Sequence, residues 1–158
     1  MLIKTVIFDL DDTLLWDEKS VKDAFIKTCQ YAQTKYNIDP EQLEQKVREN
    51  ARKLYASYPT YEFTQKIGIN PFEGLWGEFS DEGGMFPDMK KIVPEYRKMA
   101  WTKGLLDLGI DDAAFGEELG EYFPEARKKT ACLYDDTLET LDLLKEKYQL
   151  VQIGRAHV

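Results

Sequence analysis

Residues 2–13 read LIKTVIFDLDDT. The first nine, 2–10, are a short β-branched and apolar run that stops abruptly at acids. Its length and composition predict a buried strand of a parallel sheet covered on both faces. In such a sheet the carboxyl ends of the strands point into the ligand crevice, so Asp9 and Asp11 fall where chemistry is done. Spaced two apart in extended chain, they are expected to project to the same side. One carboxylate can then attack while the other moves protons. An ionised carboxylate is a competent nucleophile at neutral pH and needs no neighbouring base. Attack of Asp9 on phosphorus would give an acyl phosphate. Asp11 would protonate the leaving oxygen and then deprotonate the hydrolytic water. Two acids repel a phosphate, so a hard divalent cation is expected beside them, and Mg2+ suits that role. The same residue types fit equally well an acidic turn that caps the next segment.

Working outward, the pattern changes from strand to helix after Trp16. From Ser20 the apolar residues Val21, Ala24, Phe25, Cys29, Ala32 and Tyr36 recur at helical spacing, with Asn37 as terminator. Asp39-Pro40 reads as the start of a second helix with Leu43, Val47, Ala51 and Leu54 on its apolar stripe. Residues 58–88 hold many Gly and Pro, which predicts short helices joined by turns. Asn70-Pro71 is a further helix start, and Gly83-Gly84 reads as a turn. Helical patterns resume over 94–108 and 112–128, the latter carrying Phe115, Leu119, Tyr122 and Phe123. Asp136 with Glu139 fits a capping box before a helix bearing Leu138, Leu141, Leu144 and Tyr148. Gln149-Leu150-Val151 opens a second strand.

Across 158 residues the composition is 43% hydrophobic, 13% aromatic and 32% charged, too apolar for a disordered chain. The 21 Lys and Arg against 29 Asp and Glu leave a net charge of −8. That balance argues against nucleic acid or an anionic membrane as partner, and Lys90-Lys91 and Arg127-Lys128-Lys129 read as solvated helix faces. With no signal-peptide pattern and no apolar stretch of spanning length, a soluble cytoplasmic protein is expected. Cys29 and Cys132 form no disulfide framework and read as small core hydrophobes. The segment 153–158, IGRAHV, is what a widely used sequencing adapter encodes in one frame (ATC GGA AGA GCA CAC GTC, then the stop TGA). It is expected to be an artefact, and His157, the single histidine, is discounted with it.

A strand ending directly in D-x-D-x-T-L near the N-terminus resembles the first motif of the haloacid dehalogenase superfamily. The long helical insert after the motif, and the helix leading back into a strand, resemble members with a helical cap at that point. The resemblance implies an α/β fold: the N-terminal part of a Rossmann-like core, with two of its parallel strands and a large α-helical cap insertion. It divides the chain into 1–17 (first strand and catalytic loop), 18–130 (cap), 131–152 (helix and second strand) and 153–158 (the adapter-like tail). It implies a Mg2+-dependent phosphomonoester hydrolase. Asp9 matches the phosphoryl-accepting nucleophile and a metal ligand. Asp11 matches the general acid/base, which also gives its backbone carbonyl to the metal, and Thr13 the position that supports the loop. Asp12 sits at a variable position, exposed or structural. The family's phosphate-binding Ser or Thr after the second strand, its later Lys and its final acidic pair have no counterpart. The chain is therefore expected to be the N-terminal part of an enzyme, by itself inactive and marginally folded.

The cap sequence is similar to bacterial phosphoserine phosphatases. Phosphoglycolate, nucleotide monophosphates and sugar phosphates are the alternative small substrates, and a non-catalytic helical fragment is the alternative of another class. A signalling receiver domain also carries an acid pair after its first strand, but needs a second strand where residues 45–60 are helical in pattern.

Overall fold

A computed structural model describes residues 3–153 of the chain. Strand β1 (Thr5–Phe8) is followed by helices α1 (Asp17–Gln33), α2 (Pro40–Ser57) and α3 (Tyr61–Lys66), then a 3₁₀ turn at Glu73–Leu75. Helices α4 (Phe86–Leu106), α5 (Ala113–Thr130) and α6 (Thr137–Lys145) lead to strand β2 (Gln149–Gln152). The architecture is α/β, mostly helical, with one two-stranded sheet among the described residues. The strands pair in parallel, Thr5 opposite Gln149 and Phe8 opposite Gln152. The chain divides into two compact units, one of residues up to Lys22 and from Thr130 onward, the other Asp23–Lys129.

The helical unit is held by an aromatic core. Phe25, Trp101 and Phe123 are fully buried, and their ring centroids lie 4.6–6.0 Å apart in tilted pairs. The apolar stripe read for α1 is buried at Val21, Ala24, Phe25, Cys29 and Ala32, and that of α2 at Leu43, Val47 and Ala51. On α2 it continues through Tyr55 rather than Leu54, which is only partly buried. The expected cap is present: the Asp39 carboxylate accepts from the Glu41 N–H at 2.9 Å, with Pro40 opening the helix. Asn70 caps the 3₁₀ turn, its Oδ1 accepting from Phe72 N at 2.8 Å. At the start of α5 the Asp112 Oδ1 accepts from Phe115 N at 2.9 Å. Its Oδ2 accepts from Tyr36 Oη at 2.6 Å and Lys35 Nζ at 2.9 Å.

Three expectations are corrected here. The helix expected from Pro94 begins at Phe86, with Pro87 in its first turn, and Pro94 lies inside it. Met89, Val93, Tyr96 and Ala100 form one buried stripe that runs past Pro94. Lys90, whose carbonyl loses its helical donor, lies on the exposed side with Pro94, where water can hydrate it. The Asp136/Glu139 capping box does not form, because Asp136 makes no side-chain cap and Leu138 of α6 is 64% exposed. The first strand is not buried on both faces. Ile7 is 60% exposed and Val151, opposite it, 38%, because among the described residues the sheet has two strands only. The adapter-like residues 154–158, including His157, lie outside the described residues.

Two consequences can be measured. A Cβ built on Gly116 of α5 would stand 2.6 Å from Thr102 Cα and 2.8 Å from Thr102 N of α4, contacts with backbone that cannot swing away. Gly116→Ala is therefore expected to destabilise the protein by ~1–3 kcal/mol in urea unfolding, although alanine is the better helix former. The bonds from Tyr36, then Lys35 and the Phe115 N–H, hold the Asp112 carboxyl well below its ordinary range. Since its folded pKa lies below its unfolded value, this contribution is complete above the unfolded pKa and fades only as pH falls through the folded one. Urea midpoints of wild type and Asp112→Asn should stay apart at neutral pH and converge only below the ordinary Asp value of about 3.9.

Candidate active site

The acidic motif occupies a tight turn at the carboxyl end of β1. The strand ends at Phe8 and the chain bends at Leu10, so the extended-chain alternation expected to align Asp9 with Asp11 does not reach them. The turn presents them instead. The Leu10 carbonyl accepts from Leu14 N at 3.0 Å, Leu15 N at 2.9 Å and, more weakly, Thr13 N at 3.4 Å. Asp9, Asp11, Asp12 and Thr13 are all exposed on it. Asp9 Oδ1 accepts from the adjacent Leu10 N at 2.8 Å, which engages one oxygen of an exposed carboxylate. Asp11 sits in a single parallel bridge with Leu15, and Leu15 in an antiparallel bridge with Leu133. Thr13 contributes its backbone N–H to the turn.

β2 brings a second segment to the same end of the sheet. Ile153 N donates to Phe8 O at 2.9 Å, so the residue that follows β2 borders the start of the acidic turn. Its side chain carries no hydroxyl where the family resemblance expects Ser or Thr.

A joint between residues 14–20 and 130–137 supports the turn from below. Ser20, fully buried, donates its hydroxyl to Trp16 O at 2.7 Å and accepts from Cys132 N at 3.2 Å. Trp16 N donates to Cys132 O at 2.9 Å, Thr130 Oγ1 to Ser20 O at 2.8 Å, and Thr137 Oγ1 to Leu14 O at 3.0 Å. The Trp16 and Tyr134 rings stack at 5.2 Å with 13° between planes. Partial burial, then the Asp12 and Glu18 carboxylates, push the Tyr134 hydroxyl above the usual phenol range. None of this joint was read from the sequence, because Ser20 and Cys132 are 112 residues apart and no local pattern links them. It also corrects the reading of Cys132, which is only partly buried, with Sγ 3.5 Å from Ser20 Oγ. Cys29 is buried as expected, and burial pushes its thiol up to about 12.

Among the described residues no three His, Cys, Asp or Glu side chains converge to hold a metal ion. The donors that the acidic turn would offer are the exposed Asp9 carboxylate and the backbone carbonyl of Asp11. That set fits a hydrated Mg2+, which is bound by one or two carboxylates and completes its shell with water and substrate phosphate. It does not fit an all-protein cage.

The site thus lies in an α/β architecture, with an acid pair after the first strand of a short parallel sheet and a long helical segment between its two strands in sequence. The family model described as haloacid dehalogenase-like hydrolase matches residues 3–154, and the chain belongs to that family. No curated protein matches the chain closely enough to count as a relative.

The two thiols give a direct check on this part of the structure. With a small alkylating reagent at pH 8, Cys132 should react in the native protein while Cys29 stays protected until denaturant is added. Peptide mass mapping reads the order, and fast native labelling of Cys29 would contradict the packing of α1.

Proposed function

We propose that this sequence supplies the reacting acids of a Mg2+-dependent phosphomonoester hydrolase acting through an aspartyl phosphate. The observation that carries the reading is the exposure of Asp9 and Asp11 together on one hydrogen-bonded turn at the end of β1, in a chain of this hydrolase family. Asp9 is the nucleophile. One of its oxygens is occupied by the Leu10 N–H, which leaves the other to attack phosphorus as the ester oxygen departs. Asp11, two residues on, gives that oxygen its proton and afterwards removes one from the water that cleaves the acyl phosphate. A bound Mg2+, held by the Asp9 carboxylate and the Asp11 backbone carbonyl, would supply charge neutralisation for the phosphoryl oxygens. Thr13 serves the turn through its backbone.

The substrate is a small phosphorylated metabolite. Phosphoserine is favoured by the similarity of the cap sequence, and residues 18–130 act as the selecting cap.

The test is hydrolysis of an aryl phosphate and of phosphoserine by the native protein that carries this sequence. Chelation should abolish turnover and Mg2+ restore it. Asp9→Asn keeps the shape and removes the attacking charge, so activity should fall by at least about 1,000-fold. Asp11→Asn should cost about 100- to 10,000-fold, the usual range for a lost acid/base. An Asp9→Asn protein that keeps more than a small fraction of wild-type turnover would remove Asp9 from the nucleophile's role.

A further inference from the structure

Asp12 directly follows Asp11, the second of the two reacting acids, and has φ +51°, a left-handed backbone conformation that costs an L-residue steric energy. Asp and Asn are the non-glycine residues that occupy it most readily, because their short polar side chains bond locally. Here the bond is not to the turn itself. Asp12 Oδ1 accepts from the Glu18 N–H at 3.1 Å, six residues on, in the first turn of α1. Helix-initial amides have no carbonyl of their own helix to bond, and a carboxylate there is favoured by the helix dipole. That first turn is in turn fixed to the returning chain, through Trp16 N on Cys132 O and the Ser20 hydroxyl between Trp16 O and Cys132 N. Asp12 thus ties the middle of the acidic turn to this frame, while the Thr137 hydroxyl and the Tyr134 N–H on Leu14 O hold its far end. Within the turn, amides converge on one carbonyl, that of Leu10.

We infer that Asp12 is a positioning residue: its carboxylate, bonded to the Glu18 N–H, holds the left-handed turn that sets Asp11 relative to Asp9. The inference rests on the reading of Asp9 and Asp11 as the reacting pair. Three substitutions separate the two things Asp12 does. Asp12→Asn keeps both the acceptor and the tolerance of positive φ. Asp12→Gly keeps the backbone freedom and loses the acceptor, without strain that could unfold the protein. Asp12→Ala loses both.

Amide exchange in the native protein reads the tie directly. In Asp12→Gly the Glu18 amide should exchange about fivefold faster or more, the expected order for a lost capping acceptor. In Asp12→Ala the Leu14 and Leu15 amides should accelerate as well. With an aryl phosphate, kcat should fall about 10- to 100-fold in Asp12→Ala, the scale of a small misplacement of reacting groups, with KM changed less than about twofold. Asp12→Gly should fall between, and Asp12→Asn should recover most of both readouts. Glu18 exchange unchanged in Asp12→Gly overturns the inference, as does an Asp12→Asn protein no better than Asp12→Ala. Faster exchange with kcat intact leaves Asp12 a structural cap and also overturns it. Asp9→Asn run alongside keeps the two readings apart: if that variant turns over like wild type, the assignment of the reacting pair has failed. The positioning role then fails with it, while the exchange data still report the Asp12–Glu18 bond.

Discussion

The pairing of β1 with β2 joins residues 144 positions apart, and a parallel pair cannot be closed by a hairpin. The physical constraint on this chain is therefore closure: after a long helical excursion it must return beside its own start. Loop-closure entropy grows only slowly with length, so the excursion can be long, provided its two ends are firmly joined. The joint is the buried Ser20 hydroxyl with its partners Trp16 O and Cys132 N, reinforced by Thr130, Thr137 and the Trp16–Tyr134 stack. Because an unpaired buried polar group is costly, this set of bonds favours one arrangement of the two segments over others. β2 then meets β1 in a defined register and Ile153 arrives beside Phe8.

That joint also determines what the acidic turn can be. A connection of eight residues between a four-residue strand and a helix has few internal bonds with which to hold a shape. Here its amides converge on the Leu10 carbonyl, while Asp12 reaches out to the first turn of α1. The acids are consequently exposed to solvent yet sit on a hydrogen-bonded scaffold. Catalytic carboxylates that must meet both a phosphate and a cation need that combination, since flexible ones would have to be ordered at each turnover.

The helical unit follows a different logic. Its stability rests on rings and small residues: the Phe25, Trp101 and Phe123 cluster, the Arg48 guanidinium 4.1 Å above the Phe25 ring, and close helix approaches at Gly104 and Gly116. Hydrogen bonds at its edges, such as those converging on Asp112, fix the helix ends. The unit thus has its own apolar core, in contrast to β1 and α6, where Ile7, Leu138 and Leu143 are largely exposed.

Much of this was legible in the sequence wherever the signal is local. The apolar stripes of α1, α2 and α5, the caps at Asp39 and Asn70, and the strand ending in D-x-D-x-T depend on spacings of a few residues, which the side chains alone specify. Where competing local signals occurred, tertiary packing chose between them. Pro94 and Pro87 both mark helix starts, and the continuous buried stripe of Met89, Val93 and Tyr96 selected Pro87. Asp136 and Glu139 spell a capping box, but Asp136 makes no cap bond, and the adjacent Thr137 hydroxyl goes to Leu14 instead. The sequence by itself determined which segments carry helical periodicity, which residues are apolar and where the acids cluster, because these follow from spacing and residue chemistry. Only the tertiary structure decided how the acids are held, because Glu18, Ser20, Cys132 and Thr137 reach the turn and its frame through contacts that no short-range pattern encodes.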